Sequence, residues 1–459
     1  MKKRMKSLKF SPKKTQVLWL WSILLSIISI NTSQAKTVHE KKKTITKEIE
    51  VDAQTVMSVS HDFGDIRIEK YEGSVAKIVA DLTVRAEEDI NFEDIIDKYK
   101  IDISKRGGKT EVKASFGIKS WVINSGSWFS KGKHYIEFKD GTRIDAKITD
   151  LDAQLTLYIP KISKLELDHK HHNIFGEDLD YDLKLDLFDG EFDLGHINGA
   201  FDLNIKHGSG KSGDVNSATL DLFDSHIKMQ KGGDILLKSK HSDLKMENAK
   251  SLEMDLWDSE LRMNSIESIL NGIEKHSKIF IKSIGSGDLE LFDSRMEIDQ
   301  VGDLIINGKH SIHEFGKVDN LSSDCFDCKF HISQLTSLSS QESKHSTYHV
   351  ENLNEGIFFK KAFDDHLEVE NTNSSFSGLE FNGEHSTIKI DLPENLYYHV
   401  DVDVEHGNID LIRDEFELNK HVEKNSTLTL LGKKKGTPDS APIIKVRGKV
   451  VNVDIEKKS

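Results

Sequence analysis

From Thr44 to Ile455 apolar residues recur mainly at a spacing of two, the mark of strands with one buried face, and a helical period is confined to one short stretch. The clearest run is Asp221 to Met263. It reads Asp221-Leu-Phe-Asp-Ser-His-Ile-Lys-Met229, then Lys240-His-Ser-Asp-Leu-Lys-Met246, then Asp255-Leu-Trp-Asp-Ser-Glu-Leu-Arg-Met263. Each copy sets an Asp or a His, then Ser or a substitute, then apolar residues three and five positions beyond the Asp or His.

The Asp/His position returns as Asp189, His207, Asp224, His241, Asp258, His276, Asp293, His310, Asp327, His345, Asp364, His385 and His406. The steps are 17 or 18 residues as far as His345 and then 19, 21 and 21, with Asp and His alternating until the last step. Ser follows at Ser225, Ser242, Ser259, Ser277, Ser294, Ser311, Ser346 and Ser386, whereas Gly190, Gly208, Cys328 and Asp365 depart from it. A unit this short cannot bury its apolar face alone, so copies must stack, each strand pairing in register with its equivalent one repeat later. The predicted fold is therefore all-β: a parallel β-helix, or β-solenoid, with rungs of about 17 residues and one short N-terminal helix. Proline agrees, since none lies between Pro160 and Pro393 and every backbone N–H there is free to join a ladder.

Four segments follow. Residues 1–35 read as a signal peptide: seven basic residues precede the apolar run Val17 to Ile30, and Ser33-Gln34-Ala35 supplies the small residues of a cleavage site. Residues 36–160 form a β-rich N-terminal part with a helix over 89–99, where Phe92, Ile95, Ile96 and Tyr99 share a face. This part also holds a hairpin turning at Gly107-Gly108 and a Gly-, Ser- and Lys-rich loop over 117–133. Residues 161–412 carry the solenoid repeats, and 413–459 supply capping strands.

The order of short motifs resembles a family. A strand ends in His61-Asp-Phe-Gly-Asp-Ile-Arg-Ile68, a short helix follows, then Leu157-Tyr-Ile-Pro-Lys161 and Leu165-Glu-Leu167; later come Ile390-Asp-Leu-Pro393 and Val402-Asp-Val-Glu-His-Gly-Asn-Ile-Asp-Leu411. This is similar to the "putative adhesin" group of exported bacterial proteins, common in Bacteroidetes-type bacteria. The resemblance implies a right-handed parallel β-helix and supplies no catalytic residue.

Charge narrows the partners. Removing the seven basic residues of the signal peptide takes the net charge from −14 to −21, which disfavours nucleic acid as a ligand. The apolar run is also shorter than a spanning helix needs, so no stable transmembrane span is expected after cleavage.

Asp, His and Ser side by side suggest a hydrolytic triad, but a triad needs one activated Ser in one pocket, and here the set recurs on every rung. The expectation is a structural ladder along Asp189, His207, Asp224, His241, Asp258, His276, Asp293, His310, Asp327, His345, Asp364 and His385, in which alternation removes like-charge contact and Ser joins the ladder. Aromatic residues precede the Asp (Phe188, Phe223, Trp257, Phe292, Phe326, Phe363) and Lys precedes the His (Lys206, Lys240, Lys275, Lys309, Lys344), a cation–π stripe if this file faces outward. Cys325 and Cys328, the only cysteines, read as a core residue and a ladder residue, with a local disulfide as the alternative. No catalytic residue, cofactor or metal is expected. Trp121, Trp128 and Phe129 are the candidate ligand contacts. The function expected is a non-enzymatic scaffold or adhesin-like binding protein of the bacterial cell envelope, in the periplasm or at the outer surface, with an envelope protein or polysaccharide as partner. The alternatives are a polysaccharide-acting β-helix enzyme and an envelope-stress accessory protein.

Overall fold

The computed structural model describes residues 38–123, 134–424 and 426–458. The signal peptide expected over residues 1–35 lies outside them, as do Trp128 and Phe129. Among the described residues no helix is long and apolar enough to cross a membrane.

The chain divides into two compact units. The smaller draws on Thr83–Ile95 and the described residues of Ile118–Leu151. It contains a three-stranded antiparallel sheet of Ile118–Ile123, His134–Phe138 and Arg143–Ile144, with Ile136 and Phe138 buried.

The larger unit is the solenoid. Each rung runs from one Asp/His position to the next, and the rungs pair in parallel: His226–Lys240 on Asp243–Trp257, that strand on Glu260–Lys275, and so on through Lys278–Phe292, Arg295–Lys309 and Ile312–Phe326. A rung has two arms. In His226–Lys240 the first arm buries Ile227 and Met229 and the second buries Ile235, Leu237 and Ser239. The bend between the arms has an inner file of its own, Gly232, Ala249, Ile266, Ile284, Val301 and Val318. The apolar spacing of two within each arm is the pattern read from the sequence, and the structure adds the bend, where the spacing slips once.

The corners explain the Asp/His choice. His171, Asp189, His207 and every later Asp or His of the series adopt φ between 48° and 64°. This left-handed region costs an ordinary L-residue about 1–2 kcal/mol, and short polar side chains such as Asp and His tolerate it best. The corner N–H then donates along the axis, as from His207 to Phe223 O (3.0 Å) and from Asp224 to Lys240 O (3.0 Å). His171 opens the series but escapes the sequence template, because His172 rather than Ser follows it.

Stacking reaches back before the repeats. Val56–His61 pairs with Lys164–Lys170, and Ile66–Lys70 with Ile174–Gly176, so this early segment is itself a rung. The hairpin Lys100–Arg106 and Lys109–Ser115 turns at Gly107 and Gly108, both with positive φ, as expected. The helix is shorter than the 89–99 expected. It is one turn, Glu93–Ile96, with Ile95, Ile96 and Tyr99 buried and Asp94 and Asp97 exposed. Asn91 Nδ2 bonds Asp94 Oδ1 at 2.9 Å, a local bond that competes with earlier helix, and the strand from Lys100 ends it. The loop expected over 117–133 is also partly strand, since Ile118–Ile123 pairs with His134–Phe138.

At the far end the order in space departs from the order in sequence. The rung Gly378–Glu384 and Thr387–Pro393 pairs with Ile443–Lys449 and Asn452–Lys458, and these in turn pair with His399–Glu405 and Asn408–Asp410. The last rung of the sequence is thus inserted between two earlier ones, which is why Asp/His alternation fails between His385 and His406. The corner between them is Val450, with φ 56°, whose N–H donates to Glu405 O. Outside His399–Glu405 the antiparallel hairpin Phe416–Lys424 and Thr427–Lys434 closes the stack. Its outer strand is almost wholly exposed and bears Lys420, His421, Glu423 and Lys424, a charged edge that resists further pairing.

A β-branched residue is the poorest occupant of a left-handed corner. Val450→Asn is expected to stabilise the protein by about 1 kcal/mol. Urea denaturation checks this, and an unchanged or lower midpoint would show that the corner carries no strain.

Candidate binding face and a buried polar cluster

Each corner projects two side chains outward and turns one inward. The inward file is Ser. Ser225, Ser242, Ser259, Ser277, Ser294, Ser311 and Ser346 are buried. Ser225 Oγ accepts from Gly208 N (3.4 Å) and donates to Phe223 O (2.8 Å), and Ser242 Oγ accepts from Ser225 N (3.0 Å) and donates to Lys240 O (2.9 Å). The left-handed corner turns this N–H away from the strand ladder, and the hydroxyl of the next rung satisfies it. The serines therefore do not join the Asp/His file, contrary to the expectation. They face the core while the imidazoles face solvent, so no Ser–His pair forms in these repeats.

The outward Asp and His meet in pairs. His Nδ1 to Asp Oδ2 distances are 3.0 Å for His171–Asp189, 2.9 Å for His207–Asp224 and 3.6 Å for His241–Asp258. They are 3.2 Å for His276–Asp293, 3.1 Å for His310–Asp327 and 3.0 Å for His345–Asp364. Each His reaches the Asp of the following rung. Each imidazole also lies edge-on between the aromatic rings of the preceding and following rungs: His207 lies 5.6 Å from Phe188 and 5.5 Å from Phe223, and His310 6.1 Å from Phe292 and 5.4 Å from Phe326. Exposed pairs of this kind are worth only about 0–1 kcal/mol each. The corner conformation, more than the ion pairs, selects Asp and His.

The neighbouring outward file alternates Phe188, Lys206, Phe223, Lys240, Trp257, Lys275, Phe292, Lys309, Phe326, Lys344 and Phe363 in strict register. Phe188, Trp257, Phe292 and Phe326 are 39–43% exposed. The ammonium groups of Lys240 and Lys275 lie 5.6 and 5.5 Å from the Trp257 ring, the cation–π contacts found along this file among the described residues. Lys206, Lys240, Lys275 and Lys309 form no ion pair among the described residues. Trp121, by contrast, is a half-buried strand residue opposite Ile136.

Inside the solenoid three departures from the template come together. His313 stands in an otherwise apolar file between Met296 and Phe330, stacked on Phe330 at 4.5 Å. Cys325 follows Gly308 in the file of the second arm, and Cys328 takes the Ser position of its corner. All three are buried, both thiols are free, and one donor atom from each lies within 4.8 Å of the others. Within this buried pair Cys325, and then His313, draw the Cys328 thiol down, whereas Cys328 and burial push the Cys325 thiol up. Sequence reasoning passed over His313, yet the signal was present: a His where every equivalent position is apolar or Gly. Glu274 and Asp365 break inward files in the same way. Both are buried, and neither carboxyl is fully hydrogen-bonded.

No family model matches the chain, and a comparison with curated proteins finds no match. Solved structures similar to it include a "putative cell adhesion protein" from Clostridium sporogenes, 10% identical over 91% of this chain and 100% of that one, with a TM-score of 0.17. A "putative adhesin" from Bacteroides fragilis is 12% identical over 70% of this chain and 98% of that one, with a TM-score of 0.23. A "putative lipid binding protein" from Parabacteroides distasonis is 11% identical over 91% and 97%, with a TM-score of 0.14. Likenesses this distant tie no activity to the chain, whose solenoid stands on its own pairing register.

Proposed function

We propose that the protein is an exported, non-enzymatic binding protein of the bacterial cell envelope, and that its aromatic and lysine file takes an anionic polysaccharide. The observation that carries this reading is the file itself. Exposed rings recur on every second rung, roughly 9.6 Å apart at a strand spacing of about 4.8 Å, with a Lys between each pair. Ring faces stack on sugars, and cations without an ion-pair partner among the described residues attract carboxylated or sulfated units. The adjacent Asp carboxylates are engaged by His, so the lysines of this file are not drawn into ion pairs with them. Export rests on the signal peptide read in the sequence.

Binding of polygalacturonate and of neutral dextran to the purified protein, followed by calorimetry, tests the proposal. Polygalacturonate is expected to bind and dextran to bind far more weakly. Phe292→Ser with Phe326→Ser is expected to weaken polygalacturonate at least about tenfold, the loss of two stacking contacts of about 1 kcal/mol each. Equal binding by the double variant sinks the proposal. Shortening of the polymer on incubation replaces it with the enzyme reading. Cell fractionation with surface protease shaving then decides between periplasm and outer surface.

A further inference from the structure

We propose that His313, Cys325 and Cys328 bind one thiophilic metal ion, Zn²⁺ or Cu⁺, inside the solenoid. Two thiols and an imidazole are the donor set such ions select. They come from two consecutive rungs: His313 from the first arm and Cys325 from the second arm of Ile312–Phe326, and Cys328 from the corner that follows. Their donor atoms lie within 4.8 Å of one another, against roughly 3.5 Å across a tetrahedral centre with bonds of 2.0–2.3 Å.

Two further observations point to an occupant. His313 is fully buried and neither ring nitrogen makes a hydrogen bond, although Met296 and Phe330 on either side show that an apolar residue fills this position. An unpaired buried nitrogen costs about 1–3 kcal/mol, and coordination removes that cost for one of the two. Gly308 makes the room, since a Cβ there would stand 3.0 Å from both Cys325 Sγ and Cys328 Sγ. A disulfide between the two cysteines would leave His313 unexplained. Three protein ligands complete a trigonal Cu⁺ site, or leave one corner of a Zn²⁺ tetrahedron for a water. Walled into the core, the ion enters as the rungs close, so its affinity is part of the folding free energy.

The test uses protein purified without a histidine tag, then refolded in reductant with Zn²⁺ alone, with Cu⁺ alone under anaerobic conditions, or with neither. After desalting, elemental analysis is expected to find about one equivalent of Zn or Cu per chain, with a higher melting temperature than the metal-free sample, and the ion that survives equimolar competition is the occupant. His313→Leu, the residue type this file carries at Leu244 and Leu261, is expected to fold and to lose at least about tenfold of the bound metal. Less than about one tenth of an equivalent in the parent protein overturns the proposal, as does undiminished metal in His313→Leu or in Cys325→Ala with Cys328→Ser. Should these variants fail to fold, refolding the parent protein in Co²⁺ decides: a strong thiolate-to-cobalt charge-transfer band supports the site, and its absence overturns it.

Discussion

Glu274→Leu is expected to stabilise the protein by about 3 kcal/mol near pH 4.5, and by more at every higher pH. Glu274 is fully buried, neither carboxyl oxygen has a hydrogen-bond partner, and its file neighbours are Leu256 and Leu291. Leu therefore continues an existing file, without a new cavity and without overpacking. Burial alone drives the folded pKa well above the ordinary 4.5. The native state then holds its proton longer than the unfolded chain does. The stability this lends is fully present below the unfolded pKa and drains away as pH rises through the folded one. The margin of the variant over the parent should widen by about 1.4 kcal/mol per pH unit above 4.5 until the folded pKa is passed. Urea denaturation from pH 4.5 to 8.5 measures it. A margin that stays flat with pH would mean that water reaches the carboxylate.

Asp365→Ser follows the same logic on the inner corner file. Oδ1 of Asp365 accepts the Ser346 N–H at 2.8 Å, the bond that Ser makes elsewhere, but Oδ2 is buried without a partner. Burial pushes its pKa up to about 6, partly opposed by that N–H. Raised from 3.8, this group also favours the fold below its unfolded pKa and loses that contribution as pH climbs through about 6. Two pKa units correspond to about 3 kcal/mol. Asp365→Ser, flanked by Ser346 and Ser386, is thus expected to be more stable than the parent at pH 8 by about 3 kcal/mol more than at pH 4. Equal denaturation midpoints at pH 8 would show that the second oxygen is satisfied by solvent.

The solenoid was legible because its constraint is periodic. A strand-alternation error at Ile227 or Leu244 would recur on every rung, so the inward files stand out in the sequence. The backbone reason for Asp and His was not legible, since charge alternation and a left-handed corner favour the same residues and only φ separates them. The serines were misassigned for a related reason. Adjacency in sequence places Ser225 beside Asp224, but the corner sends them to opposite sides of the wall. The helix was overextended because Phe92, Ile95, Ile96 and Tyr99 share a face whether or not the first turn forms. Val453 and Ile455 keep the apolar spacing, but Val450 and Val451 stand where Asp or His and Ser are expected, so nothing in Lys449-Val-Val-Asn452 announced the insertion. The buried cluster was half legible: Cys325 and Cys328 drew notice as a pair, and His313 was lost among apolar neighbours.

The inserted rung sets the timetable of assembly. Most of the coil can zip forward as the chain emerges, each turn templating the next. The surfaces of Gly378–Pro393 and His399–Asp410 must instead wait, apart from each other, for residues 443–458 to arrive between them. Until that keystone is seated, two ready-made edges stand open side by side, each able to accept a strand from another molecule. The final moments of biogenesis are therefore when this protein is most exposed to mispairing with its own kind.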